Sequence, residues 1–154
     1  MFGGFRLIAS MIAFALPLLA LAPEALAQGA VSKAHKLVLQ VDTEDKDTMN
    51  LALNNATNAK KYYDDKGEPV TIEIVAYGPG ITMLRADTSP VKDRLAETRK
   101  AIPGITLSMC GNAKAGAEKR EGHEITPLPG VQVVPAGIVR IVELEEQGYS
   151  YVRP

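Results

Sequence analysis

The chain has few of the residues that usually staple or fill a small domain. It carries one cysteine, no tryptophan and three phenylalanines, and Phe2, Phe5 and Phe14 all fall in its opening stretch. A lone cysteine excludes an intramolecular disulfide and the Cys-x-x-Cys pattern of disulfide oxidoreductases. No Ser-His-Asp order, P-loop or dinucleotide glycine fingerprint occurs. Charge of one sign is also missing: 17 Lys and Arg stand against 18 Asp and Glu, a formal net charge of −1. Without a basic field or an aromatic platform, the chain is not expected to hold nucleic acid.

What is present begins with an export pattern. Arg6 precedes an apolar run, Leu7 to Ala22, broken only by Ser10 and Pro17. Ala25-Leu26-Ala27 then gives the small-x-small order read by signal peptidase, which places cleavage before Gln28. A membrane anchor is the competing reading. The run is shorter than the roughly 20 residues a spanning helix needs, and a proline lies inside it. Residues 1–27 are therefore read as a signal peptide and 28–154 as one periplasmic domain, off the membrane after cleavage. That length suffices for one core, built from Val, Ile, Leu and the five Tyr. In an exported domain a single thiol must be buried, paired between chains, liganded, or kept for chemistry.

Strand and helix patterns then alternate. Lys36 to Asp42 reads as a first, buried strand, after a frayed lead-in from Gln28 to an exposed His35. The acidic cluster Asp42, Glu44, Asp45 and Asp47 lacks the glycine and distal glutamate of a calcium loop, so Asp45 or Asp47 is expected to cap the next helix. Met49, Ala52, Leu53, Ala56, Ala59 and Tyr63 mark the buried face of that helix, with Gly67 after its end. Val70 to Tyr77 is the second strand, and Ile81 to Ala86 a short helix. Ser89-Pro90 reads as a helix start, with Val91, Leu95, Thr98 and Ile102 buried. Ile105 to Met109 is a third strand, followed by a helix from Asn112 to Arg120. Glu118 to Glu124, with His123, reads as a solvated end. A fourth strand, Val131 to Val134, precedes a helix from Gly137 to Gln147, with Ile138, Ile141, Val142 and Glu145 on successive turns. Tyr149 to Val152 closes the chain as a strand. Such alternation predicts a mostly parallel sheet covered on both sides.

Two features stand at the carboxyl edge of that sheet, where open α/β folds place ligands. Cys110 lies where the third strand turns into a helix N-terminus, which favours thiolate over thiol, and at an open sheet edge its sulfur is expected to be within reach of solvent. Gly111 lets the backbone turn there, and Asn112 and Ala113 are expected to aim their N–H groups at the sulfur. The Gly78-Pro79-Gly80 turn ends the second strand and permits close backbone approach. A buried cysteine acting as a small hydrophobe is the plain alternative.

These residues resemble the DsrE/DsrF-like (YchN-like) family. The likeness is carried by Leu107-Ser-Met-Cys-Gly-Asn112, by Ala76-Tyr-Gly-Pro-Gly-Ile81, and by two C-terminal stretches, Leu128 to Arg140 and Glu145 to Pro154. The resemblance implies a three-layer α/β/α sandwich on a five-stranded, mostly parallel sheet, assembled as a homotrimer or homohexamer. It also implies that Cys110 accepts sulfane sulfur as a persulfide from a donor protein and passes it to an acceptor, with no cofactor. Gly78, Pro79, Gly80, Gly111 and Asn112 would form the ligand-binding surround. Two other functions fit the residues: a non-catalytic oligomeric module binding a small ligand in that cleft, or a copper site using Cys110, Met109, Met83 and His123. Adjacent strand residues point to opposite faces, which weakens the copper reading and leaves metal ligands unassigned.

The export pattern carries a direct test. N-terminal sequencing of protein recovered from the periplasm should begin at Gln28. A chain that still begins at Met1 and fractionates with membranes would overturn the reading.

Overall fold

The computed structural model describes Met1 and residues 33–154; the export segment and most of the lead-in lie outside the described residues. Five strands rich in β-branched and aliphatic residues build one sheet: β1 (His35–Val41), β2 (Val70–Ala76), β3 (Thr106–Cys110), β4 (Gln132–Val134) and β5 (Ser150–Val152). All neighbouring pairs are parallel, in the order β4-β3-β2-β1-β5. Four helices surround it: α1 (Lys46–Asp65), α2 (Lys92–Ala101), α3 (Gly111–Glu121) and α4 (Gly137–Glu146). The expected three-layer α/β/α fold is therefore what forms. Among the described residues, no helix is long and apolar enough to cross a membrane.

The two faces of the sheet are covered unequally. On the first, Leu39, Val41, Ile72, Ile74, Ala76, Leu107 and Met109 pack with side chains from α1, α2, α3 and a 3-10 segment, Gly78–Leu84. On the second, a small cluster joins Val38 and Val75 to Ile141 and Leu144 of α4. The chain order explains the asymmetry. From β1 the chain steps outward through β2 and β3 to β4, then returns past all of them to β5. Parallel crossovers are right-handed, so reversing direction moves the connection to the other face. α4 makes that return alone.

Local signals account for most helix ends. Asp45 caps α1, accepting from the Thr48 N–H at 2.8 Å. The residue after α1's cap is Gly67, at φ +68°, where a Cβ would be strained. The α1 face Met49, Ala52, Leu53 and Ala56 is buried as its spacing predicts.

Four expectations are corrected. The segment after β2 is a 3-10 helix, Gly78–Leu84, that begins three residues earlier than expected and holds Pro79 in its first turn. α2 begins at Lys92 without a side-chain cap; Ser89 instead donates its hydroxyl to the Met83 carbonyl at 2.6 Å. In α4, Ile138 and Val142 are exposed and the buried pair is Ile141 and Leu144. His35 is half-buried, stacked on Tyr63 with ring centroids 3.8 Å apart and bonded to Glu68 at 2.7 Å.

Gly80 fixes how the first face closes. A Cβ there would lie 2.6 Å from the Val41 carbonyl carbon and 3.0 Å from the Asp42 nitrogen, both backbone atoms that cannot swing aside. Gly80→Ala should therefore lower stability by about 2–3 kcal/mol, the usual cost of overpacking. Urea unfolding should show the lost midpoint with an unchanged slope. A midpoint equal to wild type would refute the close approach.

Candidate functional site

β3 delivers Cys110 to the carboxyl edge of the sheet, and Gly111 starts α3 directly after it. Cys110 is itself the N-cap of α3: its Sγ accepts from the Ala113 N–H at 3.4 Å. That is the interaction expected from the strand-to-helix junction. The Asn112 N–H goes elsewhere, donating to the Pro135 carbonyl at 3.2 Å. Gly111 serves the same junction, since a Cβ on it would lie 3.1 Å from the Val134 carbonyl oxygen. Gly111 and Asn112 thus tie the start of α3 to the end of β4.

Cys110 is not the open thiol the sequence leads one to expect. It is 6 % exposed. Part of the cover is the first-face core, to which Cys110 belongs; the rest comes from α4, whose first residue, Gly137, has no side chain to hold it off. A Cβ on Gly137 would lie 2.7 Å from Tyr77 Cβ and 3.3 Å from Cys110 Cβ. Ala136 before it offers α4 no side-chain cap, so two helix N-termini meet at the cysteine. Tyr77, at the end of β2, has its hydroxyl pushed above the ordinary phenol range, first by burial and then by the nearby Asp42 carboxylate.

Sequence reasoning missed both Gly137 and Tyr77 as neighbours of Cys110. It also missed a buried polar group beneath them. Glu73 of β2, 2 % exposed, accepts from Arg140 of α4 through two bonds of 2.8 Å. Ser108 donates to the same carboxylate at 2.6 Å, and Gln132 donates to Ser108 at 2.7 Å. The only advance signal was Glu73 itself, a charge set inside the apolar run Val-Thr-Ile-Glu-Ile-Val-Ala.

The Gly78-Pro79-Gly80 turn stands in a different setting. Gly78 and Pro79 line a cavity of about 390 Å³ with Glu44, Thr82, Arg85, Arg120 and Glu121, whereas Gly80 is buried and neither Cys110, Gly111 nor Asn112 lines that cavity. Arg85, 5 % exposed, pairs with Asp87 at 2.6 Å and Glu121 at 2.7 Å. Those bonds hold both carboxyls below the usual carboxylate range, Asp87 the more strongly. His123 joins Glu121 at 3.3 Å, and Asp87, Glu121 and His123 could converge on a cation. The Arg85 guanidinium already bonds to both carboxylates, so the group reads as an ion-pair network.

Two cations that could face the sulfur are thus committed elsewhere, Arg85 to that network and Lys114, the nearest in sequence, to Glu118 at 2.5 Å. Met83 and Met109 are fully buried in the first-face core, whereas His123 is exposed. The four side chains of the copper reading therefore do not share one environment.

No family model matches the chain, and no curated protein does. A solved structure is similar to it: that of MTH1491, a protein of unknown function from Methanobacterium thermoautotrophicum. The two are 29% identical with a TM-score of 0.66, over 78% of this chain and 99% of that one. The likeness carries the fold and brings no activity with it.

Proposed function

We propose that the protein is a periplasmic persulfide carrier, a DsrE/DsrF-like sulfur-relay protein that receives and hands on sulfane sulfur at Cys110. The observation that carries this reading is the Ala113 N–H on Cys110 Sγ at 3.4 Å, with the start of α4 against the same residue. The Cys110 thiolate attacks the outer sulfur of a donor persulfide. A new S–S bond forms, the donor's S–S bond breaks, and the donor leaves as a thiolate. The product, Cys110–S–S⁻, keeps one negative charge, which unpaired N–H groups and helix dipoles at both N-termini stabilise. An acceptor thiolate reverses the step. No second cysteine is present to resolve the persulfide as an intramolecular disulfide, which suits a carrier.

Self-association belongs to the same reading, as a homotrimer or homohexamer. Its support is an apolar surface formed by Ile138, Val139 and Val142 of α4 and Val133 of β4, each about half exposed. Tyr149 packs onto the α4 cluster.

The alternative is a ligand-binding module centred on the Gly78–Pro79 cavity, whose Arg85 and Arg120 would take an anion. Native mass spectrometry decides between the two. After incubation with polysulfide, each wild-type protomer should gain the mass of one sulfur atom within an oligomer, and dithiothreitol should remove it. Cys110→Ser should gain none and keep its assembly. A folded wild type that stays unmodified, or a monomer at micromolar concentration, would count against the carrier and the assembly respectively.

A further inference from the structure

Cys110 lies beside a helix that its own protomer holds lightly. α4 buries two aliphatic side chains, Ile141 and Leu144, while Ile138, Val139 and Val142 are 57, 52 and 47% exposed. Its other tie to the sheet is polar. Arg140 Nε donates to Glu73 Oε1 and Nη2 to Oε2, both at 2.8 Å, while Ser108 and Gln132 complete the carboxylate's surroundings. Arg140 comes one turn after Gly137, the residue that covers Cys110. Ser108 precedes Cys110 by two residues on β3, which sets both on one side of the strand. The clamp therefore joins the helix to the strand that carries the thiol, one turn from the cover itself.

The first-face core contains no α4 side chain. Cys110 sits at the margin of that core with Gly137 of α4 against its Cβ, so lifting the first turns of α4 would bare the α4 side of Cys110 while the rest of the core stays packed. In the closed state the sulfur is almost fully enclosed, and a donor protein needs it in the open.

We propose that the Glu73–Arg140 pair is the latch of a local opening, in which the N-terminal half of α4 leaves the sheet and presents Cys110 to its sulfur donor and acceptor. This rests on the carrier reading of Cys110 and names how access to that site is controlled. Glu73 and Arg140 touch neither the sulfur nor the donor; they act by setting the position of α4. Breaking the pair shifts the balance toward the open helix, because Glu73 then loses its buried counter-charge.

The test is the rate of Cys110 alkylation by iodoacetamide in folded protein across low urea concentrations. A local opening exposes little surface, so its rate depends weakly on urea, whereas global unfolding brings the full slope. Wild type should label slowly with a weak slope. Arg140→Met should label about tenfold faster or more, with the weak slope retained. Arg140→Lys keeps the charge but not the two-pronged geometry and should fall between them, which preserves the test if Arg140→Met does not fold. Leu53→Ala, in the first-face core, should lower global stability without changing the low-urea rate. The latch is overturned if Arg140→Met and Arg140→Lys label at the wild-type rate, or only with the global slope, or if Leu53→Ala accelerates low-urea labelling equally. Sulfur loading from polysulfide is read on the same samples. Fast labelling without sulfur uptake would remove the carrier reading and leave the latch standing.

Discussion

The handedness of parallel crossovers is the constraint from which the candidate site follows. Three successive connections carry the chain outward from β1 to β4 over one face of the sheet. The fourth must return to β5, and a right-handed return runs over the opposite face. α4 is that return. It starts beside the end of β4, next to the ends of β3 and β2, so its first residue meets Cys110 and Tyr77 at once. Any residue larger than glycine at position 137 would have to push that start away.

A single crossing helix cannot cover a five-stranded sheet as three helices do. Parallel strands buried on both faces are usually apolar throughout, and here the second face carries Glu73, Ser108 and Gln40 among its buried residues. Each is satisfied. Glu73 accepts from both Arg140 and Ser108, and Gln40 bridges Tyr151 at 2.5 Å and Asp42 at 2.8 Å. Among the described residues, no buried side-chain nitrogen or oxygen lacks a partner. Polar clamps hold where apolar area is short, and a helix held in that way yields more readily than one locked in a large core. The same shortage leaves the outer side of α4 apolar and exposed.

What the sequence made legible is local. The β-branched density of Val70 to Ala76, the Asp45 cap, the buried stripe of α1 and the placing of Cys110 at a strand-to-helix junction all depend on neighbours within a few positions, and all are found. The misreadings share a cause as well. Ser89 looked like the cap of α2 because serine before proline often is one, but its Oγ accepts from the Val91 N–H at 3.4 Å and donates to the Met83 carbonyl, closing a turn just ahead of the helix. Spacing set Ile138, Ile141 and Val142 on successive turns of α4 without stating which side faces the sheet. The enclosure of Cys110 depends on Gly137, 27 positions later, and the depth of Glu73 on Arg140, 67 positions later. Periodicity contains no term for either pairing; topology supplies both.

The central claim is that the two faces of this sheet differ in stability, with α4 able to open while the first-face core stays shut. Native-state hydrogen exchange measures this directly, by comparing the backbone amides of Ile141 to Glu145 with those of Ile72 to Val75 in β2 across low urea. The account predicts that the α4 amides exchange through an opening of lower free energy with little urea dependence, while the β2 amides exchange only with global unfolding. Equal opening free energies and equal urea slopes for the two groups would contradict it.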